Sequence, residues 1–290
     1  MLTNAQKADR KYRINASELG TIFGVNPYQT PFQLWAKTTG IMFDVDELVS
    51  KAAELGNLFE PALLTYYENK YGPIERQVEF KAPNDLPLAA TLDGIRVDRT
   101  EVVEAKTSGL VWFTPEMREK WGDDFPEQYA YQVQAQMYCS GVYRARLIAL
   151  VAGAGGIKEY EAELDVAAME QIVEVACDWW DVHVIGGMQP QTSYADHDAI
   201  KRIKPNAGVG IELNADDERK IRRINRLTRI KSTAEKRIEE LKGDIQLKMS
   251  LATEGVLPSG AMVTFRESHR SAYAVAAKSF RTLRVPNLCK

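Results

Sequence analysis

This sequence predicts a mixed α/β fold: a central mixed sheet with helices on both faces. Three observations carry that expectation. Strand-like runs are interleaved with helical segments between residues 15 and 186 rather than segregated from them. One of those runs, ARLIALVA at 145–152, is almost wholly apolar and reads as a buried strand. The chain has 290 residues, 45% of them hydrophobic, enough for one large domain or for one domain plus an appendage.

The elements follow in order. Asn15 or Ser17 caps a short helix over residues 15–24, with Leu19, Ile22 and Phe23 on one side. Asn26-Pro27 ends it. A second helix spans 30–38, anchored by Phe32, Leu34 and Trp35. A longer one spans 51–70, where Leu55, Phe59, Leu63 and Tyr66 or Tyr67 keep helical spacing until Tyr71-Gly72-Pro73 stops it. Strands are expected at 75–80, 89–97 and 101–107, then a helix at 126–140. The buried strand at 145–152 and a partly exposed one at 159–164 come next. A helix over 163–186, with Trp179, Trp180 and Val184 packing late, closes the first domain, set at 1–190.

Residues 191–212 are polar and contain a proline, and read as a connector. The region 213–290 opens with a long helix at 216–251, then a tail of short strands with a turn at Pro258-Ser259-Gly260. Ile224, Leu227, Ala234, Ile238, Leu241 and Ile245 approximate a heptad stripe, broken by Lys231.

Charge divides the chain the same way. Residues 1–190 carry 17 Lys+Arg against 28 Asp+Glu, net −11; residues 191–290 carry 20 against 12, net +8. Nine basic residues and a single acid, Glu235, fall between Arg219 and Arg237. Such a helix is either a solvated face or a surface that meets a polyanion. Three scattered cysteines form no zinc spacing and no disulfide framework, which suits a reducing compartment. No apolar run approaches the roughly 18 residues of a membrane span, and the first residues have no apolar core. A soluble, intracellular protein without a membrane partner is expected.

The stretch TLDGIRVDRTEVVEAKT, residues 91–107, holds the most chemistry. A turn centred on Asp98 and Arg99 sets Asp93 opposite Glu104 in an antiparallel hairpin. Directly opposed side chains lie about 4.5–5.5 Å apart at Cβ. Two carboxylates that close repel unless a proton or cation sits between them. Lys106 follows Glu104 by two and shares its face. Hard oxygen ligands of this kind favour Mg²⁺ or Mn²⁺. Surface hairpins also carry such charges, so the pattern alone leaves both readings open. Two more features bear on it. Glu60 sits at the margin of the apolar face of the 51–70 helix, and a lone glutamate there usually faces solvent. Gln128, Gln132 and Gln136 share one helical stripe, which is either surface or the wall of a cleft.

Five segments, ASELGTIFGVNPYQTPFQLW (16–35), GNLFEP (56–61), LDG (92–94), EAK (104–106) and YAYQVQAQMYCSG (129–141), together resemble the YqaJ-like viral recombinases. That group includes phage lambda exonuclease and belongs to the PD-(D/E)XK nuclease superfamily. The resemblance implies a PD-(D/E)XK core and a Mg²⁺-dependent 5′→3′ exonuclease, with Mn²⁺ as a substitute. Its substrate is then the end of linear double-stranded DNA, digested to a 3′ single strand for a phage-type annealing protein. It implies that Asp93, Glu104 and the Ala105 carbonyl bind metal, with Glu60 holding metal or its waters. Lys106 becomes the catalytic lysine, and Gln132 supports the attacking water or the substrate. Arg10, or Arg13 nearer by, grips a 5′ phosphate with Ser17. It further implies a ring of three subunits, and a place in the cytoplasm of a bacterial host, encoded by phage or prophage.

The basic helix lies outside the resemblance; Arg222, Arg223, Arg226 and Arg229 are set down as DNA-backbone contacts on charge alone. Two other functions fit the same residues: a nuclease of this fold with other polarity or endonucleolytic action, and a non-catalytic DNA-binding or assembly protein.

Overall fold

A computed structural model describes residues 13–42, 51–84, 86–109, 114, 119–152, 156–206, 208–269 and 282–288. The chain forms two compact units, Met1–Lys204 and Pro205–Lys290.

The first unit is built on a six-stranded mixed sheet. Its elements are β1 (Ile14–Asn15), a 3-10 turn (Ala16–Glu18) running into α1 (Leu19–Ile22), α2 (Pro31–Thr38), α3 (Lys51–Tyr71), β2 (Ile74–Lys81), β3 (Leu88–Arg96), β4 (Val102–Ser108), α4 (Glu127–Ser140), β5 (Arg144–Val151), β6 (Gly156–Glu163) and α5 (Val166–Trp179). Thr30 caps α2 by accepting from the Gln33 N–H at 3.1 Å, with Pro31 in the first turn. Gly141, at φ +70°, closes α4, the left-handed position that glycine takes without a Cβ clash. The helix expected over 163–186 starts at Val166 and changes at Trp180 to a π turn, Trp180–Ile185, where Trp35 Nε1 donates to the His183 carbonyl at 2.9 Å.

β3 organises the sheet. β2 pairs with it antiparallel along one edge, from Lys81↔Ala89 to Ile74↔Arg96. On the other edge its start pairs parallel with β1, at Ile14↔Leu88 and Asn15↔Ala89. Its end pairs antiparallel with β4, at Gly94↔Val103 and Ile95↔Val102. Continued by one step, that register sets Asp93 opposite Glu104, as the turn at Asp98-Arg99 predicts. The ladder stops there instead, and residues 90–93 lie between the two paired stretches of this edge. β4 continues into a parallel pairing with β5, from Val102↔Ala145 to Ser108↔Val151. β6 closes the sheet antiparallel to β5.

Helices cover both faces. Leu63, Leu64 and Tyr67 of α3 pack on Val103, Ala105 and Ile148. Val133, Ala135 and Met137 of α4 join the main core with Leu92, Ile95, Val102, Leu147 and Ala149. α1 meets α4 at Gly20, where a Cβ would lie 3.1 Å from Gln128 backbone atoms.

The stretch expected to be a connector is partly folded into this unit. Tyr194–Asp196 makes a 3-10 turn leading into α6 (His197–Ile200). Asp196 is fully buried and accepts from Thr30 Oγ1, and from Ser193 N–H at 2.7 Å. A buried carboxylate with these partners pins the segment, which composition alone does not reveal.

The second unit contains α7 (Ala215–Met249) and a two-stranded hairpin of β7 (Glu254–Val256) and β8 (Met262–Thr264). Asn214 caps α7 by accepting from Asp216 and Asp217 N–H at 2.8 and 3.1 Å. α7 buries none of its residues. Among the described residues, no helix is long and apolar enough to cross a membrane.

Candidate active site

Alternation along β4 decides which residues meet. Val103 and Ala105 face α3, so Glu104 and Lys106 face α4. Glu104 is 1% exposed, and a carboxylate so placed is costly unless fully hydrogen-bonded. Its Oε1 accepts from Gln132 Nε2 at 2.6 Å and from the Lys106 ammonium. Its Oε2 accepts from Gln136 Nε2 at 2.6 Å. Gln132 and Gln136 stand one turn apart on α4 and take one oxygen each. The glutamine stripe therefore forms the wall of a site.

Asp93 stands where β3 and β4 part. Its Oδ2 accepts the Ala105 N–H at 2.9 Å, in place of a ladder bond. Burial, then the charge of Glu104, pushes its carboxyl well above the usual range; Lys106 opposes this and Glu60 adds to it. For Lys106, burial works to lower the ammonium pKa, but the charges of Glu104 and Asp93 together hold it above the usual lysine range. Its Nζ lies 5.0 Å from the Tyr129 ring centroid, a cation–π contact.

Glu60 approaches from the other side of the sheet. It lies on α3, and its Oε1 accepts from Gln77 Nε2 at 2.8 Å. Gln77 interrupts the pairing of β2 with β3: Arg76↔Gly94 and Val78↔Leu92 are paired on either side of it. Its φ of +56° is unusual for a non-glycine residue inside a strand. Beside Tyr129, a cavity of about 250 Å³ opens, lined among others by Tyr28, Ser108, Lys120, Trp121 and Gln128.

Asp93, Ala105, Glu104, Lys106 and Gln132 are thus brought together. Glu60 is held apart on α3, near enough for its charge to act on Asp93. Among the described residues, no three His, Cys, Asp or Glu side chains gather into a metal-binding group, so Glu60 does not complete a carboxylate triad. Arg13 is buried, its guanidinium 2.6 Å from Glu79 Oε1. Ser17 is exposed in the 3-10 turn, and Arg10 lies outside the described residues. Arg222, Arg223, Arg226 and Arg229 are exposed on α7; Arg222 pairs with Glu218 at 2.6 Å and donates to the Leu288 carbonyl at 2.9 Å.

Three contributors escaped the sequence. Gln136 was visible on the stripe, but nothing there selects it as the partner of Glu104. Tyr129 carried no signal beyond its position one turn before Gln132. Gln77 carried none, because a left-handed backbone at a glutamine leaves no trace in composition.

Fold and site together define the class: a mixed α/β fold with a buried carboxylate–lysine centre at the parting of two strands. Residues 7–143 match the family model of the YqaJ-like viral recombinase domain, so the resemblance drawn from the five segments stands. The chain is 26% identical over 256 residues to the uncharacterized protein YqaJ of Bacillus subtilis (strain 168), covering 86% of this chain and 79% of that protein. An alkaline exonuclease from Laribacter hongkongensis, LHK-Exo, superposes with a TM-score of 0.52 at 18% identity, over 63% of this chain and 94% of its own. Its complex with dAMP superposes equally well, TM-score 0.52 at 19% identity, over 69% and 99%. These likenesses show a shared fold.

Proposed function

We propose that this chain is a divalent-metal-dependent deoxyribonuclease that digests one strand of linear double-stranded DNA in the 5′→3′ direction. The observation that carries the reading is Glu104. It is buried, held by a lysine and two amides, and set across from a second carboxylate at the point where the strands separate. The alkaline exonuclease with the same fold and the match to a recombinase domain support the substrate and the role. On this reading the product is a 3′ single strand for an annealing protein. The chain is encoded by phage or prophage and works in the cytoplasm of a bacterial host, and the nuclease units form a ring of three.

The donor set fits a hard divalent cation. Asp93 and Glu104 offer carboxylate oxygens beside the Ala105 carbonyl, and burial together with mutual repulsion leaves Asp93 short of compensating positive charge. Asp93, Glu104 and the Ala105 carbonyl would hold Mg²⁺ or Mn²⁺, with Glu60 acting through water. Bound there, such an ion lowers the pKa of a water and takes up charge on the phosphate. The remaining work belongs to the chain. Lys106 presents a fixed positive charge to the phosphate. Gln132 positions the attacking water, and Gln136 keeps Glu104 in place. The 5′ phosphate is bound by Ser17 with Arg10 or Arg13.

End-labelled linear duplex, with and without Mg²⁺, tests the proposal. Mononucleotides released from the 5′ end, lost in chelator and restored by Mg²⁺ or Mn²⁺, are expected. Glu104→Gln and Asp93→Asn, which keep shape and hydrogen-bonding capacity, should each abolish release while the fold is kept. Cutting of covalently closed circles, or activity in either variant, would overturn it.

A further inference from the structure

The longest helix of the chain buries nothing. α7 runs 35 residues, yet an isolated helix gains little from its own hydrogen bonds and relies on packing of an apolar face. That face exists. Ile238, Leu241 and Ile245 are 49%, 49% and 45% exposed, and Ala234 extends the row. Their spacing of four, three and four residues is that of a coiled-coil seam, with Ile238 and Ile245 at a and Ala234 and Leu241 at d.

We infer that α7 pairs with α7 of a second copy of this chain, antiparallel. Charge complementarity selects this occupant and this direction. Beside the seam stand Glu235 and Lys242 at e, and Arg237 and Asp244 at g. In a parallel pair each g residue faces the e residue five positions on, so Arg237 meets Lys242 and like charges oppose. In an antiparallel pair e faces e and g faces g. With Ile238 layered on Leu241 and Ala234 on Ile245 of the second copy, Glu235 faces Lys242 and Arg237 faces Asp244. The twofold axis repeats each contact, giving four attractive pairs.

Sliding by one heptad either way destroys the match. One shift sets Glu235 against Glu235 and Arg237 against Arg237; the other sets Lys242 against Lys242 and Asp244 against Asp244. The present partners of these side chains do not compete strongly. Lys231–Glu235 at 3.6 Å, Arg237–Glu240 at 2.9 Å and Lys242–Glu239 at 2.8 Å are exposed pairs within one helix, worth little each. Lys231 and Lys248 face each other at both ends of the seam and limit it to about two heptads. The pairing is therefore reversible and concentration-dependent, and separate from any threefold contact of the nuclease unit.

Sedimentation velocity on the full chain over a concentration series tests this without reference to cleavage. Four proteins are compared: wild type, Glu235→Lys, Glu235→Lys combined with Lys242→Glu, and Ile238→Asp. The single substitution turns two attractive pairs into two repulsive ones and should weaken self-association about tenfold. The double substitution restores opposite charges at both positions and should return it to the wild-type value. Circular dichroism confirms that helix content is unchanged. A wild type whose mass does not change with concentration would overturn the pairing. So would Ile238→Asp lowering thermal stability without altering the association, which would mean that the chain covers its own seam. Failure of the double substitution to rescue would overturn the antiparallel register.

Discussion

Gln136 Nε2 donates to Glu104 Oε2 over 2.6 Å, and both side chains are closed to solvent. The acid can only accept, so it fixes which way the amide points. The other amide atom, Gln136 Oε1, is buried without a hydrogen-bond partner. The arrangement thus spends one polar atom to hold a carboxylate that the fold alone would reject.

Gln136→Leu leaves Glu104 Oε2 without its amide donor in the core. A loss of about 1–3 kcal/mol in stability is expected, the desolvation cost of an unsatisfied buried group. Turnover should drop about tenfold or more, because Glu104 is no longer held. Thermal melts and single-turnover cleavage measure the two effects. An unchanged melting temperature would mean that Glu104 does not depend on this bond.

Lys106→Ala should cut turnover by a hundredfold or more, in the range typical of a lost transition-state charge contact. DNA affinity should change far less, since the contact is made mainly as charge develops on the phosphate. Lys106→Arg should not rescue fully, because a bulkier planar fork cannot take the place of the compact ammonium against Glu104. Single-turnover rates over a range of DNA concentrations separate the two parameters.

Asp93→Asn should stabilise the metal-free protein at neutral pH. The folded carboxyl is held well above its ordinary range by burial and by Glu104. A raised folded-state pKa means that stability is fully present below the unfolded value of about 3.9 and is lost as pH rises through the folded value. Wild type in chelator should therefore lose this contribution on going from acid to neutral pH, and the variant should not. A gain of about 2–4 °C in melting temperature near pH 7.5, roughly what 1 kcal/mol gives a chain of this size, should shrink toward pH 4. Adding Mg²⁺ should raise the wild-type melt more than that of the variant. A variant less stable at every pH would sink the argument.

The sheet was readable because its strands are punctuated by clear stops and the hairpin turn fixes its register: the spacing of Asp93 and Glu104 about Asp98-Arg99 places them opposite each other, and Ile95↔Val102 sets the same register. What could not be read is where pairing ends. The opening of β3 from β4 at Asp93 is set by tertiary contacts to Ala105 and α4, not by any local residue preference. The same holds for Asp196, whose burial depends on Thr30, 166 positions away. Glu60 was singled out by motif, but its bond to Gln77, a strand residue with a left-handed backbone, left no sign in the sequence.

A 5′ phosphate should speed digestion of linear duplex relative to a 5′ hydroxyl, and Ser17→Ala should narrow that difference. Arg13 adds a distinction. It is buried and paired with Glu79, so Arg13→Ala strips a partner from a largely buried ion pair. That should lower stability by about 3 kcal/mol or more, an effect independent of the DNA end. If Arg13→Ala leaves the melt unchanged and removes only the 5′-phosphate preference, the arginine acts on DNA and its bond to Glu79 is incidental. Equal single-turnover rates on both ends would remove the anchor altogether.

The basic start of α7 bears on how a chain with a net charge of −11 over residues 1–190 approaches DNA. The counterweight is the +8 of residues 191–290, and it is concentrated where Arg222, Arg223, Arg226 and Arg229 lie exposed within about two turns. They sit ahead of the apolar seam, so the helix divides into a basic first half and a pairing second half. Replacing all four by glutamine should weaken duplex binding and flatten its salt dependence. Each lost phosphate contact removes about 0.9 from the log–log slope. Arg222 is expected to contribute less than its charge alone suggests, because Glu218 and the Leu288 carbonyl already engage it. Cleavage at saturating DNA should survive, since none of the four belongs to the site built on Glu104. Binding isotherms at several salt concentrations decide it: an unchanged affinity and slope would leave the helix with protein contacts alone and put the DNA-facing surface elsewhere.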